Sequence, residues 1–525
     1  MLELRRAPLG VALGLVGVLL CVGLAVLMQS DPDDSTAAPA VSSPGEGDLD
    51  KADVERVCTG CHLFSDPDTL PRSAWWKTIH DMVRMPGYVG GDVSTEALVA
   101  WYEARAPEEL ELPQGELGLE SDSLEWERRA PDNAGGEGPP FVANVQFLDL
   151  LGDGRRELVV CDMSYGLVQL GRPYAAPLHL ETIGLIPNPA HSAAVDLDDD
   201  GLQDLVVANL GSLPPMDHHL GSVEWLRQTG EGQFETVVLA EGVGRVADVR
   251  PADFDADGDW DLALAEFGWR ETGQVWALEA RAECDTAPCF TYHHVDTRHG
   301  AIHAEIAQLD DDGLPDFVTV LAQEHEMVVA YLNRGEFTFE AVELYQAPHP
   351  AWGTSGIQLV DLDGDADLDI LTTNGDVFDD PWLKPYHGIR WLEQTGPLQF
   401  APHHLALLYG AHRAEAADLD GDGDLDIAAC SFIPEATHAE VREKGLTIRS
   451  LVWFEQTSPG VFAPHALERN RPYHPTLAVG DCDADGDIDL AVGSAFFAGE
   501  SEPEPEDIRA VEVWINVSRA PGVEP

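Results

Sequence analysis

Positive charge is scarce in this chain. Only 30 lysines and arginines stand against 94 aspartates and glutamates, a formal net charge of −64 over 525 residues. A surface of that sign repels a phosphate backbone, so nucleic acid is excluded as a partner. Cysteine (8) and methionine (7) are sparse enough to be read one by one. Helical periodicity is missing from residue 141 onward, where β-branched residues, turn glycines and short alternating runs favour strands. No hydrolase triad, phosphate loop or zinc-protease motif is visible, which removes the common hydrolytic and nucleotide-dependent chemistries.

A long apolar run spans residues 9–28, preceded by Arg5 and Arg6. Twenty residues suffice to cross a bilayer as a helix, and the positive flank places the rest outside the cytoplasm. Residues 1–28 therefore read as an uncleaved signal anchor or as a signal peptide, with "TAAPA" offering a processing site near Ala40. Cys21 follows Leu20 rather than a small residue, a poor context for lipidation. Residues 29–49 are rich in Pro, Ser and acid and form a flexible tether. A small helical segment (50–106), an acidic Gly/Pro-containing linker (107–138), a repeat region (139–518) and a short tail (519–525) follow. The location expected is the periplasm or another extracytoplasmic face, membrane-anchored, or secreted if the leader is removed.

In the repeat region the frame D-x-D-x-D-G-x-x-D-apolar recurs at Asp196, Asp253, Gln308, Asp361, Asp418 and Asp481, with a worn copy at Asp149. The copies lie 47 to 63 residues apart, a period that suits a four-stranded blade rather than a short solenoid repeat. Each acidic loop is followed by a short apolar run ("DLVVAN", "DILTTN") and then by a Trp-bearing strand ("SVEWLRQ", "IRWLEQ", "LVWFEQ"). Seven units of strand, acidic loop and three further strands predict a mostly β chain with a seven-bladed β-propeller. The last unit stops one strand short after "VEVWINVS", and the alternating segment 123–130, "SLEWERRA", is expected to complete it.

Alternating aspartates on a tight turn converge on one point and suit calcium, which takes six to eight oxygen ligands. An EF-hand would need a glutamate at position twelve, where this chain has Val207 or Ala429; the fifth acid comes instead at position nine, directly before a strand. The pattern resembles the FG-GAP or VCBS repeats of integrin-alpha-like propellers. That resemblance implies calcium held by side chains at positions one, three, five and nine. Carried over, the sets are Asp196, Asp198, Asp200 and Asp204; Asp253, Asp255, Asp257 and Asp261; Asp361, Asp363, Asp365 and Asp369; Asp418, Asp420, Asp422 and Asp426; and Asp481, Asp483, Asp485 and Asp489. The fourth copy starts with Gln308 but keeps Asp310, Asp312 and Asp316, so weaker binding is expected there. In the first copy, Leu151 and Glu157 replace two aspartates, and no ion is expected. Five or six calcium ions follow, with a structural role; solvated turns without metal are the plainer reading of the same acids.

Cys58, Cys61 and His62 form C-x-x-C-H, the signature of covalent haem c attachment, in which two thiols bind the porphyrin and the histidine is an axial ligand. No second cysteine pair favours zinc, and no βαβ pattern favours a thioredoxin-like site. The segment resembles a small class I cytochrome c, with "DKADVERVCTGCH" as first helix and "STEALVAWYEARA" as last. The resemblance implies a methionine as sixth ligand. Met85 before Pro86 fits best, and Met82 and His80 are the alternatives.

Outside the cytoplasm a local disulfide is expected between Cys284 and Cys289. Cys161 and Cys430 read as small buried thiols and Cys482 as a loop residue that need not touch the ion. His191, Arg245, His303, Trp352, His412 with Arg413, and His474 lead into the first strands, which line a propeller's channel. They either hydrogen-bond neighbouring loops or gather into a metal or substrate site. The expected function is electron transfer by an exported, membrane-tethered c-type cytochrome whose calcium-stabilised propeller docks a redox partner, protein or small molecule. Two alternatives stand beside it: an oxidoreductase with its site in the channel, and a calcium-dependent adhesion module.

Overall fold

The computed structural model describes residues 49–60, 62–85, 88, 93–114, 124–132, 138–281, 288–310, 312–378, 380–496 and 508–518. The apolar run and tether (1–48), Cys61, Cys284 and the tail (519–525) lie outside them. Among the described residues no helix is long and apolar enough to cross a membrane. Residues 49–525 form one compact unit.

Three helices open that unit: α1 (Lys51–Cys58), α2 (Arg72–Met82) and α3 (Thr95–Glu103). Asp50 caps α1 by accepting the Asp53 N–H at 2.9 Å, and Ser94 caps α3 by accepting that of Ala97. Each cap satisfies one donor the first turn leaves unpaired. The apolar faces meet around Val54, Trp75, Ile79, Leu98 and Trp101, with Trp75 stacked on Tyr102 at 4.0 Å.

Seven four-stranded antiparallel sheets follow. Blades one to seven begin with strands Val142–Leu148, Pro189–Val195, Val246–Ala252, Glu305–Ala307, Thr354–Val360, Ala411–Ala417 and Thr476–Gly480. The second strands, such as Asp204–Asn209, Asp261–Glu266 and Asp426–Ser431, are buried along their whole length. A strand packed on both faces by neighbouring blades needs continuous apolar residues, which is why these runs do not alternate. The fourth strand of blade seven comes from before the first: Trp126–Arg129 pairs antiparallel with Val511–Asn516, Trp126 facing Asn516 and Arg129 facing Val513. Arg128 lies 4.2 Å over the Trp514 ring and pairs with Glu468 and Glu512, so a charged strand is tied to an apolar edge.

The acidic loops join first to second strands on one face. The other face carries the loops between second and third strands and the crossovers between blades. There the repeat pattern hid a helix, α4 (Glu435–Glu443), which starts after Pro434 and buries Thr437, His438 and Val441. Helical periodicity is therefore not absent from the propeller; nine residues are too short to stand out against strand-rich surroundings.

Candidate functional site

In every acidic loop except that of blade four, which begins with Gln308, the position-one aspartate folds the turn. Asp196, for example, accepts the N–H of Asp200 at 3.0 Å and of Gly201 at 2.9 Å, and Asp253, Asp418 and Asp481 repeat the arrangement. Position-five carboxylates accept the N–H two residues on, as Asp422 does from Asp424. The turn needs left-handed backbone at positions four and six. Glycine supplies it at Gly421 and Gly423, whereas Ala256, Ala484 and Ala366 adopt φ of 60°, 64° and 75°.

Position nine is a staple. Asp426 is buried, and its two oxygens accept the Leu419 N–H at 3.2 Å and the Gln456 N–H at 2.8 Å, tying loop to third strand. Asp204, Asp261, Asp316, Asp369 and Asp489 do the same with Gln228, Ala280, Asn333, Gln394 and Asn516. The side chains of Gln228, Asn333 and Asn516 go further. They donate to Leu150, Phe254 and Leu419 of the preceding blade, so these three blades are also latched to their neighbours. This amide closes the "W-x-x-Q" and "W-I-N" runs, where the tryptophan is the conspicuous residue and the latch is not.

One oxygen from each of positions one, three and nine converges within 4.8 Å in the sets Asp196/Asp198/Asp204, Asp253/Asp255/Asp261 and Asp361/Asp363/Asp369. Burial pushes Asp261 and Asp426 up to about 7 and Asp489 up to about 6. A cation at the convergence point is what would keep such carboxylates ionised at neutral pH. All-oxygen donors on a turned loop fit a hard divalent ion such as calcium. Two loops contain a cation of their own. Arg227 lies 2.6 Å from Asp198, and in blade four, where Gln308 replaces the first acid, Arg334 pairs with Asp310 and, at 3.6 Å, with Asp312. Arg227 sits on a third strand and Arg334 just past the end of one, each more than twenty residues from the acids it meets.

In the helical module Cys58 ends α1, half-buried, with its Sγ 3.6 Å from the Tyr102 hydroxyl. Tyr102 in turn donates to the Ser65 carbonyl. The His62 Nδ1 lies 2.6 Å from the Leu63 carbonyl. That contact selects the tautomer with the proton on Nδ1 and leaves Nε2 as the free ligand atom, the arrangement an axial histidine requires. Cys58 and His62, the two outer residues of the motif that the structure describes, are compatible with a haem held there. Met85 lies in the turn after α2 and Met82 is that helix's last residue. His80 is bound through Nδ1 to the Trp76 carbonyl and stacked on Trp76 at 4.1 Å.

The module is seated on the crossover face of blades five and six. Ala351 and Trp382 pack against its core, and the Tyr386 hydroxyl reaches the carbonyls of Thr69 and Ala351. Tyr386 stacks at 5.1 Å on Trp352, one of the residues leading into the first strands. Of the others, Arg245 donates to Gly268 and Leu213, His412 meets the Pro475 carbonyl at 2.7 Å, and His474 bonds Glu468 at 2.8 Å. The first strands of several blades carry a bulge, which aims His191, Asp248 and Arg413 inward. Asp248, His303 and Glu305 come together in the channel, but Arg250 lies 3.0 Å from Asp248 and 2.9 Å from Glu305. The protein itself therefore supplies the cation at that point.

Cys161, Cys430 and Cys482 are buried free thiols. Cys289 is disulfide-bonded, while its expected partner Cys284 falls outside the described residues.

No curated protein matches the chain. Among solved structures, BBS1N in complex with ARL6DN, soaked with mercury, is 11% identical with a TM-score of 0.42, covering 75% of this chain and 97% of that one. Saccharomyces cerevisiae Sqt1 is 10% identical with a TM-score of 0.40, covering 76% and 100%. Residues 187–264 and 308–372 match the model of the FG-GAP-like repeat. With the sheet order already described, the chain carries FG-GAP-like repeats built into a seven-bladed β-propeller, a scaffold consistent with a binding or docking module.

Proposed function

We propose that this chain is an exported, membrane-tethered c-type cytochrome that transfers electrons, with a calcium-stabilised propeller that docks its redox partner. The observation that carries the reading is the C-x-x-C-H motif at the end of α1, with His62 bound through Nδ1 to a backbone carbonyl and Nε2 left for a metal. Cys58 and Cys61 would hold the haem covalently, and His62 and Met85 would ligate its iron, with Met82 and His80 as competitors of Met85. When bound, haem supplies one-electron chemistry. The chain's own contribution is positioning. Trp75, Tyr102 and Ser65 brace the segment that carries the motif, and Tyr386 and Trp382 fix the module on the propeller rim. The apolar run 9–28 supports the tether, and the acidic loops support calcium. A channel oxidoreductase is disfavoured by Arg250, which occupies the cation position of the best channel cluster.

The test is expression with a working haem-maturation system, followed by a visible spectrum of the reduced protein and iron analysis. One covalently held haem per chain, lost in Cys58→Ser, is expected. A colourless wild-type product overturns the reading.

A further inference from the structure

We infer that His299, Glu324 and His325 form a binding site for one divalent transition-metal ion, with zinc the best chemical fit. The site lies on the crossover face between blades three and four. His299 belongs to the crossover that follows strand Phe290–Asp296. Glu324 and His325 belong to the loop between strands Asp316–Leu321 and Met327–Asn333. One ligand atom from each side chain lies within 4.8 Å of the others, and all three residues are half-buried.

Three observations separate this cluster from an ordinary ion pair. The His299 Nε2 is buried and lies 3.0 Å from Glu324 Oε2, close enough to pair with it electrostatically but outside good hydrogen-bond alignment. Two atoms that close but misaligned are placed as co-ligands are, both facing a third point. The second imidazole, of His325, lies 5.1 Å from that of His299 at an interplanar angle of 58°, which is not a stack.

The loop is also built rather than merely present. Gln323 and Glu326 flank the two ligands with φ of 58° and 46°, left-handed conformations that cost a non-glycine residue about 1 kcal/mol each. Glu326 is buried and anchors the turn by accepting the N–H groups of Gly353 and Thr354 and the Thr354 hydroxyl. Gln346 donates to the carbonyls of His325 and Glu326. The two segments meet where glycine allows it: a Cβ at Gly300 would lie 2.7 Å from the Ala322 carbonyl oxygen, and one at Gly273 would lie 2.6 Å from the His299 Cβ.

Third, among the described residues no arginine is paired with Glu324. The adjacent Arg298 is engaged by Asp296 at 2.6 Å and by Glu343 at 3.4 Å. In the channel cluster, by contrast, Arg250 neutralises the carboxylates. Two imidazoles and one carboxylate suit zinc and its neighbours far better than calcium, so the site is chemically distinct from the acidic loops. Three protein ligands leave a fourth coordination position for water or an exogenous group.

The test uses the full chain in millimolar calcium, which occupies the oxygen sites, titrated with Zn²⁺ by calorimetry and with Co²⁺ by visible absorption. Wild type is expected to bind one zinc ion whose affinity falls at least about tenfold in both Glu324→Gln and His325→Ala, and to show ligand-field bands with Co²⁺ that both variants lose. Calcium-loaded melting curves identify any variant that has not folded, and the near-isosteric Glu324→Gln is the decisive one. Absence of zinc binding in wild type, or equal zinc affinity in wild type and Glu324→Gln, overturns the proposal.

Discussion

At the scale of single residues, the loops show how much local strain a repeat tolerates. Ala366 holds φ of 75° where other copies place glycine. Left-handed backbone costs alanine about 1–2 kcal/mol, and glycine gives back about 0.4–1 kcal/mol through the unfolded chain. Ala366→Gly should therefore stabilise the protein by about 0.5–1 kcal/mol, read from urea or thermal unfolding; a destabilised variant would show that the alanine methyl packs. His349 gives a second expectation. Burial pushes its imidazole down to about 4, Lys384 adding to the effect. The unfolded chain takes up that proton near 6.5, so between about 6.5 and 4 the unfolded state binds more protons. Stability falls as pH drops through that window, by up to about 1.4 kcal/mol per pH unit for one such group, and His349→Gln should flatten the slope of melting temperature against pH. The frame of acids was legible because its members lie within nine residues of one another. Arg227, Arg334, the latching amides, and the His299, Glu324 and His325 trio were not, because each partner arrives from another strand and no local spacing joins them.

At the scale of elements, blade count and strand order follow from periodicity, since every unit repeats acid, apolar run and tryptophan. The segment 123–130 could be read as a strand from its alternation and from the unit left incomplete at the far end. Helix α4 escaped because an insertion interrupts a repeat without announcing its own pattern. The edge offered by Val511–Asn516 leads to an element-level expectation. Without the Trp126–Arg129 strand that edge is bare, and bare edges recruit other chains. A chain beginning at residue 133 should melt several degrees below one beginning at residue 124 and should self-associate in light scattering. Equal melting and equal mass for the two would mean that the seventh blade stands on three strands.

For the whole molecule the governing quantity is the charge of −64. Clustered carboxylates repel one another in the folded state, and divalent ions bound among them would remove that repulsion while tying strands together. A site held at a hundred times its dissociation constant contributes about 2.7 kcal/mol. Chelation should therefore lower the melting temperature of the purified protein. Added sodium chloride should restore part of the loss, because the screening length is only about 8 Å at physiological salt. A melting curve indifferent to chelator would leave the loops as metal-free turns held by their position-nine staples. The relation of the helical module to the rim was the least legible feature of all. Tyr386, Trp382 and Ala351 look like ordinary loop residues until the module is seen resting on them.

The strand Trp126–Arg129 is made long before its partner Val511–Asn516, with every other blade lying between them in the chain. The ring cannot shut until that late partner has been synthesised. Until Tyr386 has been synthesised, the motif at Cys58 belongs to a polypeptide without its docking rim, so covalent attachment there would have a kinetic opening that assembly later narrows. Such long-range closure also predicts slow folding, with open-ended discs as its characteristic intermediate.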